Sequence, residues 1–451
     1  MKNRVVVLCL LCALATPVTL SALVNPRLIP PGPPSEQVRE RCVQTWLAAP
    51  LTELRGRKPE SLQNQRGDFF QVRMEEDREV FHIAVIPQSK IEMDVYSTYE
   101  ADTRLYDIYA VGVPGTWVFT RDAATGTMTA ITCYFAGDDQ VFLRFFPGAD
   151  HKTTGELVVF GAHAARNVHI PVNFNRLYTA TMTDLKNWAP QLPWHYFSFD
   201  SSRYSGVRQM VAVIQKNLPR VKPAVDSVPD ENGTLVPLFA GTPGVVPAAP
   251  ASGEIALSNS GFVKWIADGL AEPLTGSGIK VTALLTRSEF RYLSRITEKL
   301  AGIYDLAFSL DWTRHLAAAI ASAKTRRVVL PENSGCDVTV EPFVSSNRTL
   351  YLPHAGYHAS ALEPLLYVLA LTEPDIFYLA AVREVDRSTT PEVGYFNSSA
   401  AVFSLFDEVG HFTGLVFEDG VEYTLRDFIE KYGEDHIFLS RVRASEYFFL
   451  R

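Results

Sequence analysis

Leu257-Ser-Asn-Ser-Gly-Phe-Val-Lys-Trp-Ile-Ala-Asp-Gly-Leu270 reads as a polar start followed by an apolar run with helical spacing. Phe262, Trp265, Ile266 and Leu270 fall at i, i+3, i+4 and i+8, so a helix here buries one face. Asn259 stands at its beginning, where Asn is among the favoured N-caps. A side chain at a helix start feels the positive end of the dipole and free backbone N–H groups. A cysteine there would be held as thiolate, and a nearby histidine would complete an ion pair and serve as general acid. Asn259 has no ionisable or nucleophilic atom, so thiolate chemistry cannot run through it. Ser260 is a substitute nucleophile, although no Gly-x-Ser-x-Gly elbow surrounds it. The plain alternative is a cap on a core helix.

Downstream, helical spacing recurs over 288–301, Asp311–Ala323 with Asp311 as N-cap, and 360–371 with Ser360 and Glu363 as a capping box. The chain then returns to strands. Ala400–Phe406, a turn at Asp407–Gly410 and Phe412–Phe417 form a hairpin, followed by a helix near Leu425–Tyr432 and a strand near His436–Val442. Helices first and an antiparallel sheet after them predict an α+β domain over 254–451. Upstream, Phe81–Ile86, Thr116–Thr120, Met128–Phe135, Val141–Phe146 and Leu157–Phe160 are short β-branched and aromatic runs between turn signals. They predict a β-sandwich-like domain over 68–200, with Trp194–Phe199 as a core strand or an aromatic binding surface. Between the two lies 201–253, a helix over Ser205–Asn217 and then a Pro/Gly-rich linker. Residues 25–67 read as a Pro-rich tether and a short helix near Glu36–Ala49.

In the quoted stretch the chain resembles the NlpC-type peptidoglycan endopeptidases, a papain-like cysteine hydrolase family whose signature is Cys-Ser-Gly-Phe at the head of an apolar helix. Ser260, Gly261, Phe262, Val263 and Trp265 match, and Asn259 occupies the nucleophile's place. The family's histidine stands on a later strand that turns through a Gly/Asp hairpin. Ser399-Ala-Ala-Val-Phe403 fits that strand with Ser399 in the histidine's place, and a second register puts His411 there. The likeness covers Ser258 to Gly420 at most, with a longer gap between the motifs than compact bacterial members have. It implies a papain-like α+β fold with a degenerate catalytic centre at Asn259, Ser260, Ser399 and His411. The implied function is a catalytically inactive homologue that binds peptide, cell-wall fragments or an envelope partner. Rival readings are an active wall peptidase or amidase with another nucleophile, and a structural envelope protein without a functional cleft. No cofactor or metal is expected.

Lys2 and Arg4, the apolar run Val5–Ala15, and small residues up to Ala22 make residues 1–24 a secretory signal, and place the mature chain in the periplasm or cell envelope if the source is bacterial. An uncleaved anchor is the alternative, and no later stretch is long and apolar enough to span a bilayer. The formal net charge of −8 and the absence of a Lys/Arg run argue against nucleic acid as partner. After signal removal Cys42, Cys133 and Cys336 remain, enough for one disulfide at most. Asn232, Asn347 and Asn397 head sequons that matter only in a eukaryotic source. Cys336 with His354 or His358 is a second thiol candidate, and His354, His358 and Glu363 a candidate metal set. Buried thiols and satisfied histidines are the commoner outcome of such patterns.

Overall fold

The computed structural model describes residues 24–96, 101–149, 152–238, 253–287, 306–344, 351–388, 390 and 392–451. Residues 1–23 of the secretory signal expected over 1–24, most of the Pro/Gly-rich linker, the helix expected over 288–301 and Asn347 lie outside the described residues. The fold is mixed α+β with large antiparallel sheets. The chain divides into two compact units. One is built from residues up to Asp139 with Leu143–Thr153 and Ile170–Trp188; the other takes Gln140–Phe142, Thr154–His169 and Ala189–Arg451.

In the first unit, β1 (Val24–Ile29) pairs with β5 (Ser89–Tyr96), and β5 pairs with β6 (Ala101–Ile108), all antiparallel. The Pro-rich stretch expected as a free tether therefore begins as a paired strand. The main sheet contains β2 (Glu60–Gln63), β3 (Phe69–Glu76), β4 (Val80–Pro87), β7 (Trp117–Asp122), β8 (Met128–Tyr134) and β9 (Val141–Pro147), in the order β9-β8-β7-β4-β3-β2. Helix α1 (Glu36–Cys42) starts at Ser35, whose Oγ accepts from Val38 N at 3.3 Å, and runs on as a π-turn to Leu47. Its inward residues Val38, Cys42 and, within the π-turn, Trp46 are buried. The Arg39 guanidinium lies 4.1 Å over the Trp117 ring and donates to Ala180 O at 2.5 Å, ahead of α2 (Met182–Trp188).

On one face of the main sheet the loop residues Tyr109, Val111 and Val113 pack on Ala84, Ile86 and Val118. Asp102 to Leu105 of β6, in the three-stranded sheet, are exposed in succession. Strand spacing reports that strands exist; what covers them is decided by packing.

The second unit contains β10 (Thr153–Val159) and β11 (Ala162–Ile170), and then, in place of the strand expected at Trp194–Phe199, a 3-10 turn over Trp194–Phe197. Pro193 removes a ladder donor, and Trp194 Nε1 turns back to Ala189 O at 2.8 Å. Helix α3 (Ser205–Asn217) coincides with its expectation. Short pairings follow: β12 (Val221–Pro223) parallel to β15 (Ile255–Leu257), and β13 (Val228–Pro229) antiparallel to β14 (Leu235–Val236). Helix α4 (Asn259–Thr275) comes next, then α5 (Phe308–Thr325) and α6 (Leu362–Thr372). α5 begins three residues before Asp311, and α6 is led in by a 3-10 turn with Ala361 at its cap, so neither expected capping arrangement is used.

The sheet of this unit comprises β16 (Tyr351–Leu352), β17 (Gly356–His358), β18 (Ile376–Asp386), β19 (Val393–Phe406), β20 (Phe412–Glu418), β21 (Val421–Thr424) and β22 (His436–Arg443). Its order is β16-β17-β22-β18-β19-β20-β21, antiparallel at each long pairing. One face packs on α6 and α7 (Leu425–Lys431) through Leu365, Leu369, Val402, Phe428 and Ile437. On the other face Ala381, Phe396 and Phe438 meet Leu310 of α5. Helix α4 lies against α5 and β19, and is buried from Ser260 to Ala271 on every side, so its two charged residues, Lys264 and Asp268, are buried with the apolar ones.

Candidate functional site

Ser258, not Asn259, caps α4. Its backbone is extended (φ −75°, ψ 168°), its Oγ accepts from Gly261 N at 3.2 Å, and it donates to Ser227 O at 2.9 Å. Asn259 is thereby the first helical residue, and its side chain is free to turn away from the helix end. It turns to β19. Asn259 Oδ1 accepts from Ser399 N at 2.7 Å, and Asn259 Nδ2 donates to Ser399 O and to Ser398 Oγ, each at 3.1 Å.

The reason lies in the sheet register. The β19–β20 ladder runs from Phe406↔Phe412 to Ala401↔Phe417, after which the chain leaves β20 through Asp419 and Gly420, both at positive φ. Ser399, two residues beyond Ala401, keeps an N–H and a C=O on that side with no strand to meet them. Unpaired backbone groups inside a protein are costly, and a primary amide presents the same donor and acceptor as a peptide unit. Asn259 supplies that missing partner. Replacing it with alanine leaves both groups unmet, at roughly 1–3 kcal/mol each less whatever water restores. We expect Asn259→Ala to lower unfolding free energy by about 2–3 kcal/mol in denaturant titration; a cost under about 0.5 kcal/mol would show that the bridge contributes nothing.

Beyond Ser398 the polar chain continues into a buried carboxylate. Ser398 Oγ donates to Glu418 Oε1 at 2.6 Å, Lys431 Nζ donates to Glu418 Oε2 at 2.6 Å, and the Tyr432 hydroxyl also donates to Oε1. Burial alone would pull the Lys431 ammonium down, but its bond to Glu418 carries it above its ordinary value. Tyr432 is raised by burial and by the Glu418 charge. Sequence reasoning missed Ser398, Glu418, Lys431 and Tyr432. A signal was present: Glu418 shares the inward parity of buried Val416 on β20, so a charge there demands partners.

The remaining candidates are not brought together. Ser399 faces Asn259 through its backbone, while its fully buried Oγ has no hydrogen-bond partner. Ser260 is buried and contributes its carbonyl to Trp312 Nε1 at 3.0 Å; among the described residues no base is bonded to its hydroxyl. His411 lies just past Phe406↔Phe412, in the hairpin turn, where its N–H meets Asp407 Oδ1 at 2.9 Å. Seven residues of β19 separate Phe406 from Ser399, about 23 Å at the rise of an extended strand. The register that puts His411 opposite Asn259 is therefore excluded. The Cys336 thiol is pushed up by burial, the reverse of activation. His358 Nδ1 meets Ser360 Oγ at 2.8 Å, His354 sits in a turn at φ +69°, and Glu363 lies in the first turn of α6. Among the described residues no group of three His, Cys, Asp or Glu is placed to hold a metal.

Five residues along α4 from Asn259, Lys264 and Asp268 form an ion pair of 2.5 Å with Lys264 fully buried. Asp268 Oδ1 also accepts from Ile279 N at 2.7 Å. Burial outweighs the pull of Lys264 and pushes the Asp268 carboxyl up to about 6.

Residues 32–196 match the family model of a domain of unknown function (DUF8515), a segment that ends before α4. No curated protein and no solved structure matches the chain. Among the described residues no helix is long and apolar enough to cross a membrane.

Proposed function

We propose that residues 254–451 form an NlpC-type papain-like domain that has given up hydrolysis and binds a peptide, a cell-wall fragment or a partner protein outside the cytoplasm. One observation carries the reading. The helix-start position that would hold a nucleophile and the strand position that would hold its histidine face each other, and both are filled by groups that cannot react. Asn259 instead bridges to the β19 backbone and to Ser398. An amide held by three hydrogen bonds neither attacks a carbonyl nor shuttles a proton. Glu418, which could orient a base, accepts from Ser398, Lys431 and Tyr432 instead. The export half of the proposal rests on the Lys2/Arg4 and Val5–Ala15 pattern.

The test pairs binding with chemistry. Purified peptidoglycan fragments should bind the native chain saturably and be recovered uncut; cleavage by the native chain, or no binding by any fragment, overturns the proposal. Asn259→Cys should label slowly with iodoacetamide, with a thiol pKa within one unit of the free value of about 8.5. A helix end alone contributes only about 0.3–1 kcal/mol, and among the described residues Asn259 meets Ser398 and Ser399 and no histidine. A strongly acidic thiol would mean that a catalytic partner is present after all.

A further inference from the structure

The first unit carries a half-open cleft of about 460 Å³, where β3 and β4 meet the incoming chain at Pro30–Gly32. That volume is in the range of small-molecule sites, roughly 300–1,000 Å³. Its walls include Ile29, Pro30, Pro31, Phe69 and Pro87, with Phe69 43% exposed. The prolines have no N–H, so this wall offers apolar surface and carbonyl acceptors.

Two charges of opposite sign stand in this cleft. Asp68 Oδ2 accepts from Asn64 Nδ2 at 2.9 Å, which fixes the carboxylate and leaves Oδ1 for another donor. Gly32 lies alongside this carboxylate, where an added Cβ would sit 3.4 Å from Oδ1. Lys90 projects from β5 opposite Ile29 of β1, and Gln88 N on the same stretch bonds Phe69 O at 2.8 Å, so base and acid are held on neighbouring backbones. Among the described residues the two do not pair with each other.

We propose that this cleft binds a short zwitterionic peptide with an apolar side chain, its ammonium on Asp68, its carboxylate on Lys90 and its side chain against the proline and Phe69 wall. A carboxylate and an ammonium lining one apolar cleft are the charges that complement the ammonium and carboxylate of a zwitterionic peptide. A charged bond of this kind discriminates by roughly 10–100-fold. The site is independent of Asn259 and of the reading given for residues 254–451, so its variants leave that reading untouched.

Calorimetric titration of the full chain with alanyl-phenylalanine tests it, alongside N-acetylated and C-amidated forms. Saturable binding is expected for the free dipeptide, weakened about tenfold or more by acetylation and by amidation. Asp68→Asn should weaken the free dipeptide and remove its advantage over the acetylated form. Lys90→Gln, at an exposed position with no side-chain bond to lose, should remove the advantage over the amidated form. No saturable binding at millimolar dipeptide, or binding indifferent to both variants, overturns the proposal.

Discussion

Asp268→Ala is expected to destabilise the second unit by about 3–5 kcal/mol, the range for breaking a buried ion pair from one side. Lys264 is fully buried, and the variant leaves its ammonium with no counter-charge while also removing the acceptor of Ile279 N. The pair as a whole is a different matter. The Asp268 carboxyl is raised to about 6 because desolvation exceeds the attraction of Lys264, so the ionised pair contributes little net stability. The double change Lys264→Met with Asp268→Leu should therefore recover most of the loss, or exceed the native stability. Asp268 takes up a proton more readily folded than unfolded. Its contribution is fully present below the ordinary carboxyl value near 4 and is lost as pH rises through about 6. Denaturant titration of both proteins between pH 4 and 7 should show the native chain losing stability over that window relative to the double variant. Parallel curves, or an alanine variant as stable as the native chain, would remove this account of the pair.

Gly261→Ala should also damage the start of α4. A Cβ at Gly261 would sit 2.2 Å from the Ser227 carbonyl oxygen, which also accepts from Ser258 N at 2.9 Å and from Ser258 Oγ. The obstacle is backbone, so no rotamer relieves it. Either Ser227 and the β13–β14 hairpin lift off the first turn of α4, or the helix start moves and strains the Asn259 bridge. Overpacking of this sort costs roughly 1–3 kcal/mol and occasionally more, against which alanine's better helix propensity returns about 1 kcal/mol. Because the overlap at 2.2 Å is with backbone, the cost lies at the upper end of that range, and the expected net loss is about 2 kcal/mol by denaturant titration. Gly276→Ala is the comparison: its φ is +78° but nothing lies within 4 Å of the added carbon, so only backbone strain of about 1 kcal/mol applies. Equal losses at the two glycines would mean that the close approach of Ser227 does not matter.

The glycine of the Ser-Gly-Phe motif thus has a structural reason to be there, and so does the asparagine before it. Both were visible in the sequence as motif members, and neither reason was. Helix α4, with Phe262, Trp265, Ile266 and Leu270 buried, and the hairpin with Phe406 opposite Phe412 follow from local periodicity and turn chemistry. Reading Asn259 as the cap failed by one residue, because Ser258 competes for the same role and wins by also reaching Ser227. The choice between Ser399 and His411 could not be made from pattern at all. It depends on where β20 turns away from β19, a register fact that places one residue beside Asn259 and the other about 23 Å along the strand.

The sequence by itself determined most of the helices and strands, the antiparallel sheet at the C-terminal end, and that residue 259 carries no thiol, since these depend on side-chain identity and on neighbours a few residues away. Only the tertiary structure decided what Asn259 does, that Glu418 gathers Ser398, Lys431 and Tyr432, and that Tyr109, Val111 and Val113 cover Ala84, Ile86 and Val118 in the first unit. Those outcomes turn on backbone groups left unpaired and charges left buried. Whether a partner arrives for them is set by how the chain folds back on itself, over fewer than about twenty-five positions for Glu418 and well over a hundred for Ser399 and Asn259.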